Sequence, residues 1–463
     1  MLKFLLLSVS LAASSALAAA CQPGEMPRNL TRYGREVEPL VESFLPRPAA
    51  DGIQENGWPQ LIEALESLKQ LAPGGDIQVL LGTDSDVAAV SDGTAPPGSD
   101  EWARTAQLVA RAAELGVFEG LKPLPGSYRA VRPAQEGDLI AWILPELGLA
   151  RRMAVLNVAR FRIAAHEQRA DEAIRSFEET LAMGRIASHQ FTLIDHLVAL
   201  SLMNRALEEI ARQVVEGEWN GKECREFLAC IDRQRLAPLE IAARGERLMG
   251  LDCNRFVYED PAESPSGQLA KLAGREPARV AIAGIATKEQ SAAYLEGLYH
   301  RLLELARMPM WHALHELPRV RQDMEEVPSS QIVAGLVTPA VTRVITHRAQ
   351  TEAWIAGVGA MLALEAFRGA EGRYPDKLEV LIPDYLAELP LDPFTGEPLR
   401  YRRLDAEPSA RQYLIYSVGW DLTDDGGLEH ESAHGAATPS GMGFDIVFNR
   451  RLVTAAAPTE GRK

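Results

Sequence analysis

The chain has 463 residues, enough for two or three domains with sizeable cores. Its 46% hydrophobic and 24% charged content is that of a soluble globular protein. A formal net charge of -16, spread along the chain, argues against a general nucleic-acid binder and favours solubility or contact with divalent cations.

The first residues, MLKFLLLSVSLAASSALAAAC, join Lys3, an apolar run from Phe4 to Leu11 and the small-x-small site Ala16-Leu17-Ala18. This is the pattern of a secretory signal peptide over residues 1–20, too short to span a membrane. The expected location is therefore the periplasm or cell envelope. Cys21 follows LAAA, which resembles a bacterial lipobox with its leucine one place early. That resemblance implies lipidation of Cys21 and a lipid anchor; otherwise Cys21 simply lies near the mature N-terminus. No later run reads as membrane-spanning, because AWIAGVGAMLALEAF is broken by Glu365 and is shorter than the ~20 residues a span needs. Of the remaining cysteines, Cys253 has either Cys224 or Cys230 as a disulfide partner across a helical hairpin, or all three are buried free thiols.

Residues 21–137 read as a mixed region. WPQLIEALESLKQL places Leu61, Leu65, Leu68 and Leu71 on one face of an amphipathic helix. Ser99-Asp100 is a cap signal for a second helix, EWARTAQLVARAAEL. From 138 to 333 the pattern is almost wholly helical. LARRMAVLNVARFRIAAHEQ and RADEAIRSFEETLAMGRIA form an antiparallel pair, with Ile174, Phe177 and Leu181 as the apolar stripe of the second. The second helix resembles one helix of a tetratricopeptide unit, so the expected architecture is a helical-hairpin array that serves as an interaction scaffold. QFTLIDHLVALSLM resembles the processed start of a type IV pilin. Gln190, Asp195 and the polar His196, Asn204 and Arg205 depart from that pattern, and an internal buried helix is the expectation.

The character changes over 334–463. A long helix, TRVITHRAQTEAWIAGVGAMLALEAFRGAEG, leads into a stretch with Pro375, Pro383, Pro390, Pro393 and Pro398, which cannot lie in helix interiors or central strands. Gly396 fits a tight turn, and Tyr374, Tyr385, Phe394 and Tyr401 supply aromatic filler for a small sheet. The strands RQYLIYSVG and FDIVFNR follow. The fold expectation is mainly α with a small α+β ending, in which a long helix packs on a short antiparallel sheet. The motifs GRYP, LPLDPFTGEPLRY, SVGWD and the final Asp445-Ile446 resemble the soluble domain of the type II secretion major pseudopilin. The whole chain also resembles uncharacterised exported bacterial proteins that join a helical middle to this ending.

Two chemistries compete in the C-terminal loop. His430-Glu431-Ser432-Ala433-His434 matches H-E-x-x-H, in which His430 and His434 would hold zinc and Glu431 would act as general base of a metallohydrolase. Its glycine-rich, proline-bounded surroundings have loop composition, whereas the motif needs a helix. Asp421, Asp424, Asp425 and Asp445, with Ser417, instead bring oxygen ligands to one flexible loop, as a hard cation requires. The pseudopilin resemblance implies calcium there. The functional expectation is an exported, non-enzymatic envelope scaffold whose partners are envelope proteins, a secretion- or pilus-like assembly among them, and not nucleic acid.

Overall fold

The computed structural model describes residues 31–44, 57–121, 137–139, 144–217, 219–259, 264–272, 284–325, 327–337, 339–404, 412–427 and 445–449. Helices start where a side chain can take the backbone N–H groups left over in the first turn. Ser85 accepts from the Ala88 N–H, Ser99 from Trp102 and Thr192 from Asp195. Asn220 and Thr287 form reciprocal capping boxes with Glu223 and Gln290.

The described residues form fifteen α-helices. They are α1 (Gly34–Ser43), α2 (Trp58–Leu68), α3 (Ile77–Leu80), α4 (Asp86–Asp92), α5 (Asp100–Glu114), α6 (Pro145–His166), α7 (Ala170–Ser188) and α8 (Leu193–Glu216). Then follow α9 (Gly221–Arg233), α10 (Leu239–Glu259), α11 (Pro265–Leu272), α12 (Lys288–Arg307), α13 (Met310–Glu325), α14 (Ile332–Val337) and α15 (Pro339–Glu371). The fold is mainly α with a small three-stranded sheet near the C-terminus.

The regular elements described before residue 121 are helical; α1 packs on α10, and α2, α4 and α5 pack on α6, with Trp58, Leu61, Leu65, Leu68 and Trp102 in the shared core. In the helical array α6 packs on α7, α7 on α8 and α10 on α12. Its centre is a group of rings, with Phe161 stacked on Trp219 at 6.0 Å and Phe227 edge-on to Phe161, Phe177 and Trp219 at 4.9–5.9 Å. Phe177 and Leu181 are buried as the periodicity of α7 requires, while Ile174 is partly buried at its edge.

The long helix α15 packs on α8, α9 and α13 and also on the sheet, so one hydrophobic cluster runs from Phe161 to Phe448. By length and composition its stretch Arg343–Glu371 is apolar enough to cross a membrane, and two thirds of its most apolar window (67%) is buried inside this molecule. The apolar run is thus longer than the fifteen residues read from the sequence, and a core helix meets the same requirement.

The sheet contains β1 (Arg400–Arg403), β2 (Tyr413–Ser417) and β3 (Ile446–Val447), all antiparallel and in that spatial order. The register pairs Arg402 with Leu414 and Ser417 with Ile446. Asn449 completes the pairing of β2, since its side chain accepts from the Ile415 N–H and donates to the Tyr413 carbonyl. Gly396 adopts a left-handed conformation (φ 76°) in a turn that lies on the Trp311 ring of α13, where an added Cβ would collide with the indole.

Candidate functional site

The loop after β2 is organised by a residue outside it. Asp392, fully buried, accepts the Ser417 hydroxyl at 2.8 Å, the Val418 N–H at 2.9 Å and the Phe394 N–H at 3.0 Å. The Ser417 oxygen in turn accepts the Gly419 N–H at 3.1 Å. An Asp before Pro favours a turn in which the carboxylate takes nearby backbone donors, and LPLDPFTG shows that signal. What the sequence does not show is that the same carboxylate also reaches across to Ser417 and so commits it to a structural lock. Trp420 stacks edge-on against Phe394 at 4.9 Å, which fixes the next turn.

Beyond this lock the acidic residues separate into two groups. Asp421 serves its own turn by accepting the Thr423 N–H at 3.1 Å. Asp424 accepts the Tyr416 hydroxyl at 2.8 Å, the Gly426 N–H at 3.0 Å and the Arg400 Nε at 3.2 Å. The Tyr416 hydrogen bond, then the Gly426 amide, hold its carboxyl below the usual range.

Asp445 is in a different condition. The antiparallel β2–β3 register brings it back beside Gly427, whose N–H donates to its Oδ2 at 2.6 Å. Its Oδ1 is buried and has no well-formed hydrogen bond among the described residues. Burial pushes the Asp445 carboxyl up, the Gly427 and Asp425 amides hold it down, and the neighbouring Asp424 and Asp425 push it up again. Asp424, Asp425 and Asp445 therefore share one electrostatic neighbourhood, whereas Ser417 is turned to Asp392 and Asp421 stays in its own turn.

As a test for a hard cation, this is a partial fit. Calcium takes six to eight oxygens. The buried Oδ1 of Asp445 needs a positive or donating partner, and Asp425 lies close enough to act on that carboxyl through its backbone amide and its charge. Among the described residues no group of three or more His, Cys, Asp or Glu has metal-holding geometry. His430, Glu431 and His434, like Cys21, lie outside the described residues.

No protein-family model matches the chain, and neither a curated protein nor a solved structure does.

Proposed function

We propose that this chain is an exported, non-enzymatic envelope protein, in which a helical array presents an interaction surface and a pseudopilin-like ending binds calcium. Its partners are envelope proteins, with a secretion- or pilus-like assembly as the reading that the resemblance of the ending suggests. The observation that supports the cation is the buried Oδ1 of Asp445, which has no well-formed hydrogen bond among the described residues and lies near Asp424 and Asp425. A buried carboxylate oxygen without a donor is costly, and a bound cation removes both that cost and the repulsion between neighbouring carboxylates. Asp425 and Asp445 are the side chains that would hold it. Asp424 is engaged by Tyr416 and Arg400 and orients the loop.

The test is thermal melting of the full chain with calcium or with a chelator, for the wild type and for Asp445→Asn. Free calcium at ~100-fold above Kd stabilises by about 2.7 kcal/mol, which raises Tm measurably. The wild type is expected to respond and the Asp445→Asn variant not to. A wild type that is indifferent to calcium would remove the cation from this reading. Stoichiometric zinc lost on His434→Ala would replace the reading with a metallohydrolase.

A further inference from the structure

Helix α10 crosses the entrance of α8 in unusually close contact. A Cβ at Gly245 would collide with the Phe191 carbonyl oxygen, so the backbones touch there. The next residue, Glu246, is buried, and its Oε2 accepts the N–H of Leu193, the first residue of α8, at 3.1 Å. One turn further along α10, Gly250 leaves room for the Tyr299 ring of α12, and a Cβ there would meet the Tyr299 hydroxyl. That hydroxyl is buried and has no hydrogen-bond partner among the described residues.

The charged and titratable groups near Glu246 are on α8 and α12. From α8 it faces Asp195, itself buried and accepting the Thr192 hydroxyl at 2.7 Å. On α12, Tyr299 lies close enough that Glu246 and Cys253 of α10 both act on its phenol. Among the described residues no cation pairs with Glu246, and no arginine or lysine acts on it. The Leu193 N–H favours the ionised carboxylate, but burial outweighs it and, with the Asp195 carboxyl nearby, favours the protonated form. We propose that Glu246 is a proton-operated latch at the α8–α10–α12 junction, holding the three helices together when protonated and loosening them when ionised.

Burial, the largest cause, pushes Glu246 up to about 7, and Tyr299 is pushed well above its ordinary range by the same burial and by Glu246. Opening the junction returns Glu246 to an ordinary carboxylate. The sign follows from proton binding: between about 4.5 and 7 the closed state holds a proton that the open state does not. The opening constant therefore grows up to ~tenfold per pH unit across that window and is flat on either side. Acid tightens the junction, and neutral pH loosens it.

The test is hydrogen exchange of the full chain at several pH values from 4.5 to 8, corrected for intrinsic exchange rates, for the wild type and Glu246→Gln. Glu179 and Glu208 are also pushed up to about 7 by burial, so the difference between the two proteins is the readout. In the wild type, protection over the first turn of α8 and the middle of α10 should fall by up to ~tenfold per unit as pH rises through the window. In Glu246→Gln the same peptides should keep a nearly constant protection. Equal pH dependence in both proteins, or a pH-independent wild type, overturns the latch. Should Glu246→Gln fail to fold, the wild type alone decides. The first turn of α8 must then lose protection more steeply than α5, which belongs to the other hydrophobic cluster, and an equal loss in both overturns the proposal.

Discussion

The Tyr374 hydroxyl donates to Glu365 Oε1 at 2.6 Å, joining the long helix α15 to the proline-rich meander that leads into the sheet. Arg368 pairs with the other Glu365 oxygen at 2.8 Å and lies over the Tyr374 ring, which packs against Tyr413 at 4.8 Å. Glu365 interrupts the apolar run of α15 because it is the polar end of this contact.

Removing either side chain breaks this buried hydrogen bond, at about 1–3 kcal/mol. Tyr374→Phe and Glu365→Leu are therefore each expected to destabilise by that order. The double variant should cost less than the sum, because two apolar groups can pack where the hydrogen bond was. Chemical denaturation of the four proteins measures the cycle. Strict additivity would mean that the contact contributes no coupling and that α15 is held to the meander by other contacts alone.

What the sequence made readable was set by local periodicity. The stripes of α2 and α7, the cap at Ser99 and the turn at Gly396 lie within a few residues of what they control, and each stands where the pattern placed it. Short helices α3 and α4 escaped because a run of four to seven residues carries too little period; their local caps, Asp76 and Ser85, were the available signal. In the acidic loop, grouping Asp421, Asp424, Asp425 and Asp445 did not separate Asp421, which stays in its own turn, from Asp424 and Asp425, which act on Asp445. The assignment of Ser417 as a ligand did not anticipate Asp392, which lies 25 residues earlier and takes that hydroxyl. No periodic or spacing signal encodes such a side-chain pairing between separate segments.

Two glycines separate packing from backbone freedom. Gly245→Ala forces a methyl into the Phe191 carbonyl, and overpacking of this kind costs about 1–3 kcal/mol or more. Gly297 lies in the exposed face of α12 with open space where its Cβ would be. Gly297→Ala should stabilise by about 0.5–1 kcal/mol, since alanine loses less backbone entropy in a helix. The urea midpoint is expected to fall for the first variant and rise for the second. Shifts of the same sign would show that α10 and the entrance of α8 are not in backbone contact.

The last prediction concerns the cysteines. Cys224, Cys230 and Cys253 are free and buried, and burial, reinforced by nearby carboxylates, pushes each thiol up to about 12. At pH 8 that leaves a thiolate fraction on the order of 10⁻⁴, against roughly a quarter for an exposed thiol. Only the thiolate attacks an alkylating reagent, so the native chain should resist iodoacetamide at all three positions. Unfolding in denaturant without reductant exposes them, and peptide mass mapping should then find all three labelled. A disulfide between Cys253 and either of the others would leave two of the three unlabelled until reductant is added. That pattern would require the helices carrying them to approach more closely than the free-thiol packing shows, and it would overturn the arrangement around Phe227 and Tyr299 from which the array's core is built.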